Sequence, residues 1–466
     1  MSPITSKAAY ALMIILLIIG IIIGYGVGMT AAPAVTTVTT TVTGPAPATA
    51  TVTVTEKETV TVTAPAPGAP GLRGKVLVGA LLALTGVLST YGENSKVALE
   101  LAVKEVNEWL KARGEPWEIE LVVEDTATDP KVCLDKIKIL HGRGIKIFIG
   151  PMSSAEVSEV KSYADANKLL IIAQSSTSPA LSIPGDFIFR FCPDDTIQGP
   201  AAARILYEQG IRWVIPVWRG DTWGDGLKHA CEVAFKKLLE KTGEEGGFHE
   251  GIRYDPAAKE FSAEVAKLAD YVKDWVDKYG KDKVGVLYIA FEESVAFFVA
   301  ASAHPILSEV KWVGSDGTAG LAPLVKVKEA ADFAIKTEFL SPIFAPGKSP
   351  KFEKVKNYVM EKLGRTPDAY AYAAYDALWC IALALDLADT DDPEVLKTVL
   401  PAVVENYFGA TGWFKLNENG DRAFADYDLW IPRLVEGEYK WDTAGTWHGV
   451  TDSIEWADWW LELKRS

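Results

Sequence analysis

Hydroxyl-bearing residues follow two apolar runs in the first half of the sequence, where they could bind an anion. The segment Ile149–Ser154 (IGPMSS) ends one run and opens a predicted helix over Ala155–Asn167, and Ser175–Pro179 (SSTSP) ends the next run. The first turn of a helix leaves backbone N–H groups unpaired and carries partial positive charge, so it can hold a carboxylate. These loops therefore predict a shared site for a small anion, unless Ser153 or Ser154 serves only as the helix N-cap.

Aromatic and acidic residues follow comparable runs in the second half of the sequence. Trp223, Phe291 and Asp316 each lie shortly beyond a predicted strand. Trp223 offers a flat apolar wall, and a carboxylate at Asp316 can pair with an ammonium group, at about 1.5–3 kcal/mol for each charge-assisted hydrogen bond. Asp316 can alternatively cap a turn. Tyr91, in a glycine-spaced loop after the first predicted strand, is expected to project towards the same region or to pack locally.

The groups that catalysis or metal binding would need do not accompany these residues. The region after the N-terminal segments contains no P-loop, G-x-G-x-x-G or G-x-S-x-G motif, and the hydroxyl-rich loops have no base positioned to activate a nucleophile. The histidines are scattered, with no two at helical metal-ligand spacing; they are His141, His229, His249, His304 and His448. The sequence therefore predicts a protein that is not an enzyme and holds no metal or cofactor.

Length and composition set the broad class of the protein. The chain has 466 residues, of which 48% are hydrophobic and 23% charged, and this length suits two lobes with additional segments. Its net charge of -15 argues against a nucleic-acid partner, which would require a basic face. No C-x-x-C pair occurs, and both disulfides and buried thiols stay open for the four cysteines, Cys133, Cys192, Cys231 and Cys380.

The N-terminal sequence predicts a membrane-tethered, exported protein. Ala8–Met29 is apolar and uncharged over a length that can cross a bilayer, and Lys7 before it predicts a cytoplasmic N-terminus. We therefore interpret residues 1–30 as a transmembrane anchor, with a cleaved signal peptide as the alternative. No cysteine follows that could carry a lipid. Residues 31–74, rich in Thr, Val and Pro, are interpreted as an extended stalk that holds an extracellular globular domain off the membrane.

Strand-like and helical segments alternate through most of the chain. One series runs from Lys75–Leu82 to Leu169–Ala173, with its first helix expected to begin near Asn94–Ser95, and a second runs from Ile211–Trp218 to Val310–Gly314. This alternation predicts two Rossmann-like α/β units with parallel sheets. Ligands of such sheets bind beyond the carboxyl ends of the strands, so the hydroxyl loops and the acidic and aromatic set are expected to face each other across a cleft.

Seven short segments resemble, in order and spacing, the branched-chain amino-acid-binding family of transporter-associated receptors, which has the type I periplasmic-binding fold. The likeness spans about Lys75 to Trp441, and the stalked anchor is similar to archaeal members. The matching segments are Gly79–Gly92, Glu124–Pro130, Ile149–Ser154, Ser175–Pro179, Gly220–Gly226, Val313–Gly317 and Asn417–Asp421.

The resemblance implies a role for each candidate site residue. Ser154, Ser175, Ser176 and Thr177 would hold the carboxylate of an amino-acid ligand, and Asp316 would hold its ammonium group. Trp223 and Phe291 fall where the family has tyrosines that cover the ligand, and Tyr91 matches an aromatic residue that lines the side-chain pocket. The loss of two tyrosine hydroxyls implies a more apolar pocket, for a branched-chain, other hydrophobic or aromatic amino acid, or a related small amide or acid.

The resemblance also implies an architecture and partners. Two lobes joined by three crossover strands would close about a hinge on the ligand, and an ABC permease with its ATPase subunits would recognise the closed form. Two alternatives to an importer component stay open: a ligand sensor that acts on a signalling partner and, less favoured, an enzyme on the same scaffold. The implied divisions are lobe 1 at residues 75–192 and 338–412, lobe 2 at 193–337 and 413–445, and a C-terminal tail at 446–466.

Overall fold

The computed structural model describes residues 71–465. The anchor predicted at residues 1–30 lies outside this range, as does the stalk predicted at 31–74 except for its last residues. All four cysteines lie within the range, and each is a buried free thiol. Of the two states that the sequence left open for the cysteines, disulfides and buried thiols, the structure shows buried thiols.

Five parallel strands form the first sheet, in the order β2-β1-β3-β4-β5. Helices cover both faces of such a sheet, which is why its strands are continuous apolar runs; every residue of β3 and β4 is buried. The bounds are β1 Gly74–Leu82, β2 Trp117–Asp125, β3 Ile147–Ile149, β4 Leu170–Ala173 and β5 Ile188–Arg190.

A second parallel sheet follows in the order β10-β9-β6, with β7 and β8 both paired to the free edge of β6. The bounds are β6 Trp213–Arg219, β7 Gly247–Phe248, β8 Ile252–Tyr254, β9 Val284–Ile289 and β10 Lys311–Val313. The α/β class with parallel sheets, predicted from the alternation of apolar patterns, is confirmed.

Twelve α-helices occur within the described residues, and half of them connect consecutive parallel strands of one sheet. Their bounds are α1 Ser89–Arg113, α2 Pro130–Gly142, α3 Ser154–Ala166, α4 Asp195–Glu208, α5 Thr222–Thr242, α6 Ser262–Tyr279, α7 Ser294–Ser302, α8 Lys328–Lys336, α9 Pro350–Leu363, α10 Ala369–Ala388, α11 Pro393–Glu405 and α12 Asp458–Arg465. Helix α10 alone, among residues 71–465, has the length and apolar composition of a membrane span. Most of it is buried inside the protein, where it packs against α1.

The C-terminal part forms an antiparallel sheet in the order β11-β14-β15-β16. The segment interpreted as a tail contains the end of β15, then β16 and α12, and Trp460 of this helix is buried against Trp456. A small hairpin, β12-β13, lies between β11 and β14 in the chain. The bounds are β11 Ser341–Phe344, β12 Phe408–Gly409, β13 Gly412–Trp413, β14 Tyr427–Val435, β15 Glu438–His448 and β16 Ser453–Trp456.

Segments that connect the two parallel-sheet units lie side by side. The N–H of Arg190 donates to the carbonyl oxygen of Gly420 (3.0 Å), and the N–H of Arg422 donates to that of Arg190 (2.9 Å). The buried guanidinium of Arg190 also donates through Nε (2.5 Å) and Nη2 (2.7 Å) to the carboxylate of Asp421. Backbone and charged contacts thus hold two connecting segments together where the units meet.

Helix α1 begins earlier than the sequence predicts. It starts at Ser89 and not near Asn94–Ser95, so Tyr91 lies in its first turn and not in a loop. The reason is tertiary: Gly92, which suggested a loop, sits against the end of β1, where an added Cβ would lie 1.9 Å from the carbonyl oxygen of Ala83. A glycine here lets the helix start in direct contact with the strand.

Candidate ligand-binding site

A cavity of about 20 Å³ lies between the carboxyl ends of the two parallel sheets. This volume holds about one water molecule, so the cleft is closed in this conformation. Six of the eight residues predicted for the site line it: Tyr91, Ser154, Ser175, Trp223, Phe291 and Asp316. The remaining lining residues are Leu88, Met152, Ser153, Gly317 and Tyr370.

Ser153, Ser154 and Ser175, which we call the serine wall, form the side of the cavity that belongs to the first sheet. Ser153 is the N-cap of α3: its Oγ accepts from the N–H of Glu156 (3.2 Å), whose carboxylate accepts from the N–H of Ser153 (2.9 Å). Ser154 Oγ accepts from the N–H of Ser178 (3.1 Å). Ser175 Oγ donates to a backbone carbonyl (2.9 Å). The hydroxyl groups of this wall are thus fixed by the protein itself.

Ser176 and Thr177 lie behind the serine wall and do not line the cavity. The hydroxyl of Ser176 donates to Ser154 Oγ (3.1 Å), and its carbonyl oxygen accepts from Arg190 Nη1 (3.3 Å). The carbonyl oxygen of Thr177 accepts from the N–H of Asp195 (2.8 Å). In this conformation both residues position their neighbours, and their contact with a ligand stays a prediction.

Asp316 and Tyr370, which we call the acidic wall, form the opposite side. Asp316 is buried, its Oδ2 accepts from the hydroxyl of Tyr370, and its N–H donates to Gln198 Oε1 (3.0 Å). Its other oxygen, Oδ1, is shielded from solvent and has no hydrogen-bond partner among residues 71–465. Burial raises the pKa of the Asp316 carboxyl to about 6. The acidic wall therefore holds a carboxylate with one acceptor atom unused.

A second buried carboxyl group stands behind the acidic wall. Gln198, which binds the backbone of Asp316, also donates through Nε2 to Asp195 Oδ1 (3.1 Å). Burial and the nearby charge of Asp316 raise the pKa of the Asp195 carboxyl well above its ordinary value. A positive group placed beside Asp316 would relieve the repulsion between the two acids.

Aromatic rings close one end of the cavity. Trp223, in the first turn of α5, stacks on Phe291 with ring centroids 4.4 Å apart and planes at 12°. The Arg219 guanidinium lies 4.8 Å from the centre of the Phe291 ring on a cation–π contact. Gly317 packs against both rings, and a Cβ there would lie 2.7 Å from each. The pair presents an apolar surface that a larger residue at position 317 would displace.

Tyr91 extends from the first unit to the acidic wall, where backbone carbonyl oxygens hold its hydroxyl. It lies 2.7 Å from the carbonyl oxygens of both Asp316 and Ala319, to which it can donate. Burial raises the pKa of this hydroxyl well above its ordinary value, so it stays a donor. The ring therefore lines the cavity while the hydroxyl bonds the two units together.

Other polar contacts also bridge the two units at the mouth of the cleft. The carboxylate of Glu292, after β9, accepts from the N–H of Thr90 (2.8 Å) and from the hydroxyl of Ser89 (3.0 Å) in the first turn of α1. The hydroxyl of Ser178 donates to the carbonyl oxygen of Thr222 (2.9 Å). A carboxylate at a helix N-terminus is favourable in charge, so these contacts stabilise the closed form.

The sequence did not predict three residues that line the cavity, Leu88, Met152 and Tyr370, or the contact that Glu292 makes at its mouth. Tyr370 belongs to α10, an apolar helix whose pattern indicates only core, and no local signal connects it with Asp316. Leu88 and Met152 lie inside segments that were singled out, yet they carry no polar group to mark them. Glu292 follows Phe291 directly, and its role appears only when the two units are in contact.

The two α/β units meet at the carboxyl ends of their strands, with the serine wall opposite the acidic wall. This arrangement is that of a two-lobed ligand-binding protein.

The comparison with known proteins agrees with this class. The family model described as "Receptor family ligand binding region" matches residues 94–431. An uncharacterized protein of Methanocaldococcus jannaschii is 33% identical, over 82% of this chain and 91% of its own. A Leu/Ile/Val-binding protein homolog of Brucella abortus is 25% identical, over 79% of this chain and 90% of its own.

Solved structures show the same fold. The leucine-binding protein of Thermotoga maritima superposes with a TM-score of 0.63 at 21% identity, covering 79% of this chain and 97% of its own. A solute-binding protein of R. palustris, solved with benzoate, gives 0.64 at 15% identity, covering 83% and 98%. The chain therefore belongs to the receptor ligand-binding family, and the resemblance to branched-chain amino-acid-binding proteins of the type I periplasmic fold is confirmed.

Proposed function

We propose that this protein is the extracellular substrate-binding component of an ABC importer and that it binds an amino acid with a hydrophobic side chain. The observation that carries the proposal is the carboxylate of Asp316, a residue of the cavity lining whose buried Oδ1 has no hydrogen-bond partner among the described residues. A buried carboxylate oxygen without a partner is costly, and an ammonium group would supply both the missing hydrogen bond and the countercharge.

The opposite wall suits the other end of a zwitterion. The ligand carboxylate would lie at the N-terminus of α3, where Ser154 and Ser175 add polar groups and the helix adds partial positive charge. Ser176 and Thr177 would support this wall from behind. The side chain would lie against Trp223 and Phe291, whose stacked rings offer apolar area without a hydroxyl group.

Binding would require the two units to part and close again. The cavity is far smaller than an amino acid, and the contacts of Tyr91 and Glu292 bridge its mouth. A ligand that touches both walls would stabilise the closed form more than the open one. The importer relatives support a permease and its ATPase subunits as the partners that recognise this form, with the N-terminal segment as the membrane tether.

The proposed activity is binding without turnover. Among the described residues that line the cavity, the serine hydroxyls contact serine, glutamate and backbone groups, and no histidine or lysine lies there to act as a base. Detection of a hydrolysed amide after incubation with the purified protein would contradict this part of the proposal.

A calorimetric titration of the full-length protein in detergent tests the ligand class. We expect leucine and phenylalanine to bind, and 4-methylpentanoate, which is leucine without its amine, to bind at least about tenfold more weakly, because one charge-assisted hydrogen bond is lost. Equal affinity for leucine and 4-methylpentanoate would assign the site to carboxylic acids, like that of the benzoate-bound neighbour, and would overturn the amino-acid assignment.

A further inference from the structure

A second cavity, of about 790 Å³, lies where the connecting segments meet, and we call it the hinge pocket. It shares no lining residue with the cavity between the serine and acidic walls. Its volume falls within the about 300–1,000 Å³ that is usual for ligand pockets. The lining comes from Ala345–Gly347, from Thr411–Trp413, from Arg422–Asp426, from the start of α4 and from the loop after β15.

Arg422 places a buried positive charge at this pocket. Its side chain is enclosed, with the residue only 4% exposed, and its guanidinium lies 4.4 Å from the centre of the Phe414 ring and 5.1 Å from that of Phe344. Its hydrogen bonds go to the backbone carbonyl oxygens of Thr411 (3.2 Å) and Phe424 (3.3 Å). Burial lowers the pKa of this guanidinium to about 10.

The guanidinium of Arg422 has no carboxylate partner within residues 71–465, and its Nη1 has no hydrogen-bond acceptor there. The contrast with the neighbouring Arg190 is direct. Arg190 is as deeply buried, and it is matched by two hydrogen bonds to Asp421. A buried guanidinium without an anion is costly, whereas one with a bidentate carboxylate is satisfied.

The carboxylates that line the hinge pocket are already engaged elsewhere. Asp426 accepts from the N–H of Gly449 (2.9 Å) and contacts His448 Nδ1 (2.9 Å). Asp452 pairs with Arg204 and accepts from Trp447 Nε1 (3.0 Å). Arg422 is therefore the charged group of this pocket that has no direct ion pair within residues 71–465, and the buried carboxylate of Asp376, which accepts from the N–H and the hydroxyl of Thr411 (2.8 and 2.6 Å), attracts it from a greater distance.

The mouth of the hinge pocket is aromatic. Phe408, Trp413 and Phe424 are 57%, 46% and 40% exposed, and the rings of Trp413 and Phe424 lie 5.6 Å apart. Three exposed aromatic rings around one pocket form an apolar surface of the kind that marks a binding site. Flat rings beside a cation favour a ligand with a flat apolar body and a negative group.

We propose that the hinge pocket is a second binding site, for a small organic anion that carries an aromatic ring and one carboxylate. The carboxylate pairs with Arg422 at the floor, and the ring packs against Trp413 and Phe424 at the mouth. The pocket and the cleft share no lining residue, so a ligand of one does not occupy the place of a ligand of the other.

Titration of the full-length protein with 2-naphthoate tests the proposal, with 2-naphthamide as the uncharged analogue. We expect 2-naphthoate to bind, and the amide to bind at least about tenfold more weakly, because a charge-assisted pair is lost. Trp413→Ala, at a half-exposed position, is expected to weaken 2-naphthoate about threefold to tenfold through lost ring contact and to leave leucine binding unchanged. Arg422→Met, an apolar replacement of similar length, is expected to abolish the difference between the two compounds.

The cleft variant Asp316→Asn is the matched control, and saturating leucine is the competitor. Neither is expected to change the affinity for 2-naphthoate. Absence of binding at millimolar 2-naphthoate, equal affinity for acid and amide, or displacement by leucine would each overturn the proposal. If Arg422→Met does not fold, the acid–amide comparison and Trp413→Ala still decide the question.

Discussion

The two walls of the cleft differ in how completely the protein satisfies their polar groups. In the serine wall, the hydroxyls of Ser153, Ser154 and Ser175 all have hydrogen-bond partners within the protein. In the acidic wall, Asp316 keeps one buried oxygen without a partner, and Asp195 stands behind it. Ser154 Oγ accepts in both of its hydrogen bonds within residues 71–465, so the serine wall is held in place while the Ser154 hydrogen stays available to a ligand. The acidic wall leaves a buried acceptor atom without a donor, and selectivity for an amine should therefore come from the acidic wall.

The largest effect is expected from removing the charge of the acidic wall. Asp316→Asn keeps the size of the side chain and should weaken leucine binding about 100-fold, since a buried charge-assisted contact becomes neutral. Calorimetry measures this loss, and 4-methylpentanoate serves as the control ligand because it has no amine. An equal loss for both ligands would show that the substitution disturbs the whole cleft and not the ammonium contact.

Acidification should weaken the same contact without a substitution. Because the carboxyl of Asp316 has a pKa of about 6 before a ligand binds, and only its ionised form attracts an ammonium group, leucine affinity should fall about tenfold from pH 7 to pH 5. The sign is fixed by linkage: binding lowers this pKa, so protons compete with the ligand as the pH falls. Asp316→Asn should show a flat profile, and a wild-type profile that stays flat would remove Asp316 from the ligand contact.

A smaller effect is expected on the serine wall. Ser154→Ala removes one hydroxyl, while the N–H groups of α3 stay in place, so leucine binding should weaken about threefold to tenfold. The same calorimetric titration measures it, with Ser153→Ala as a comparison because Ser153 caps α3. A loss as large as that of Asp316→Asn would reverse the ranking of the two walls.

The smallest effect is expected from the contact that joins the walls. Tyr91→Phe keeps the ring in the lining and removes the hydrogen bonds to Asp316 and Ala319, so the closed form should lose about 1 kcal/mol and leucine affinity about fivefold. Small-angle scattering of the free protein would report a wider cleft. Tyr271→Phe, whose exposed hydroxyl lies 3.3 Å from Glu250, is the matched control and should change neither measurement.

The local sequence pattern was sufficient to predict the parallel sheets and the residues that follow their strands at the cavity. Strands of continuous apolar residues alternate with amphipathic helices, and this periodicity is a property of neighbouring residues, so the parallel sheets could be predicted from sequence. That Ser154, Ser175, Trp223, Phe291 and Asp316 line one cavity could be predicted, because parallel sheets bind their ligands at the carboxyl ends of their strands.

Tertiary structure alone decided the rest. Tyr370 reaches Asp316 from an apolar helix, Arg422 packs on Phe344, and Glu292 contacts the start of α1, all between residues more than fifty positions apart. The start of α1 depended on Gly92 packing against β1 and not on its own neighbours. Such features depend on which segments fold against each other, and hydrophobic periodicity specifies which face of an element is buried but not which polar atom it will meet there.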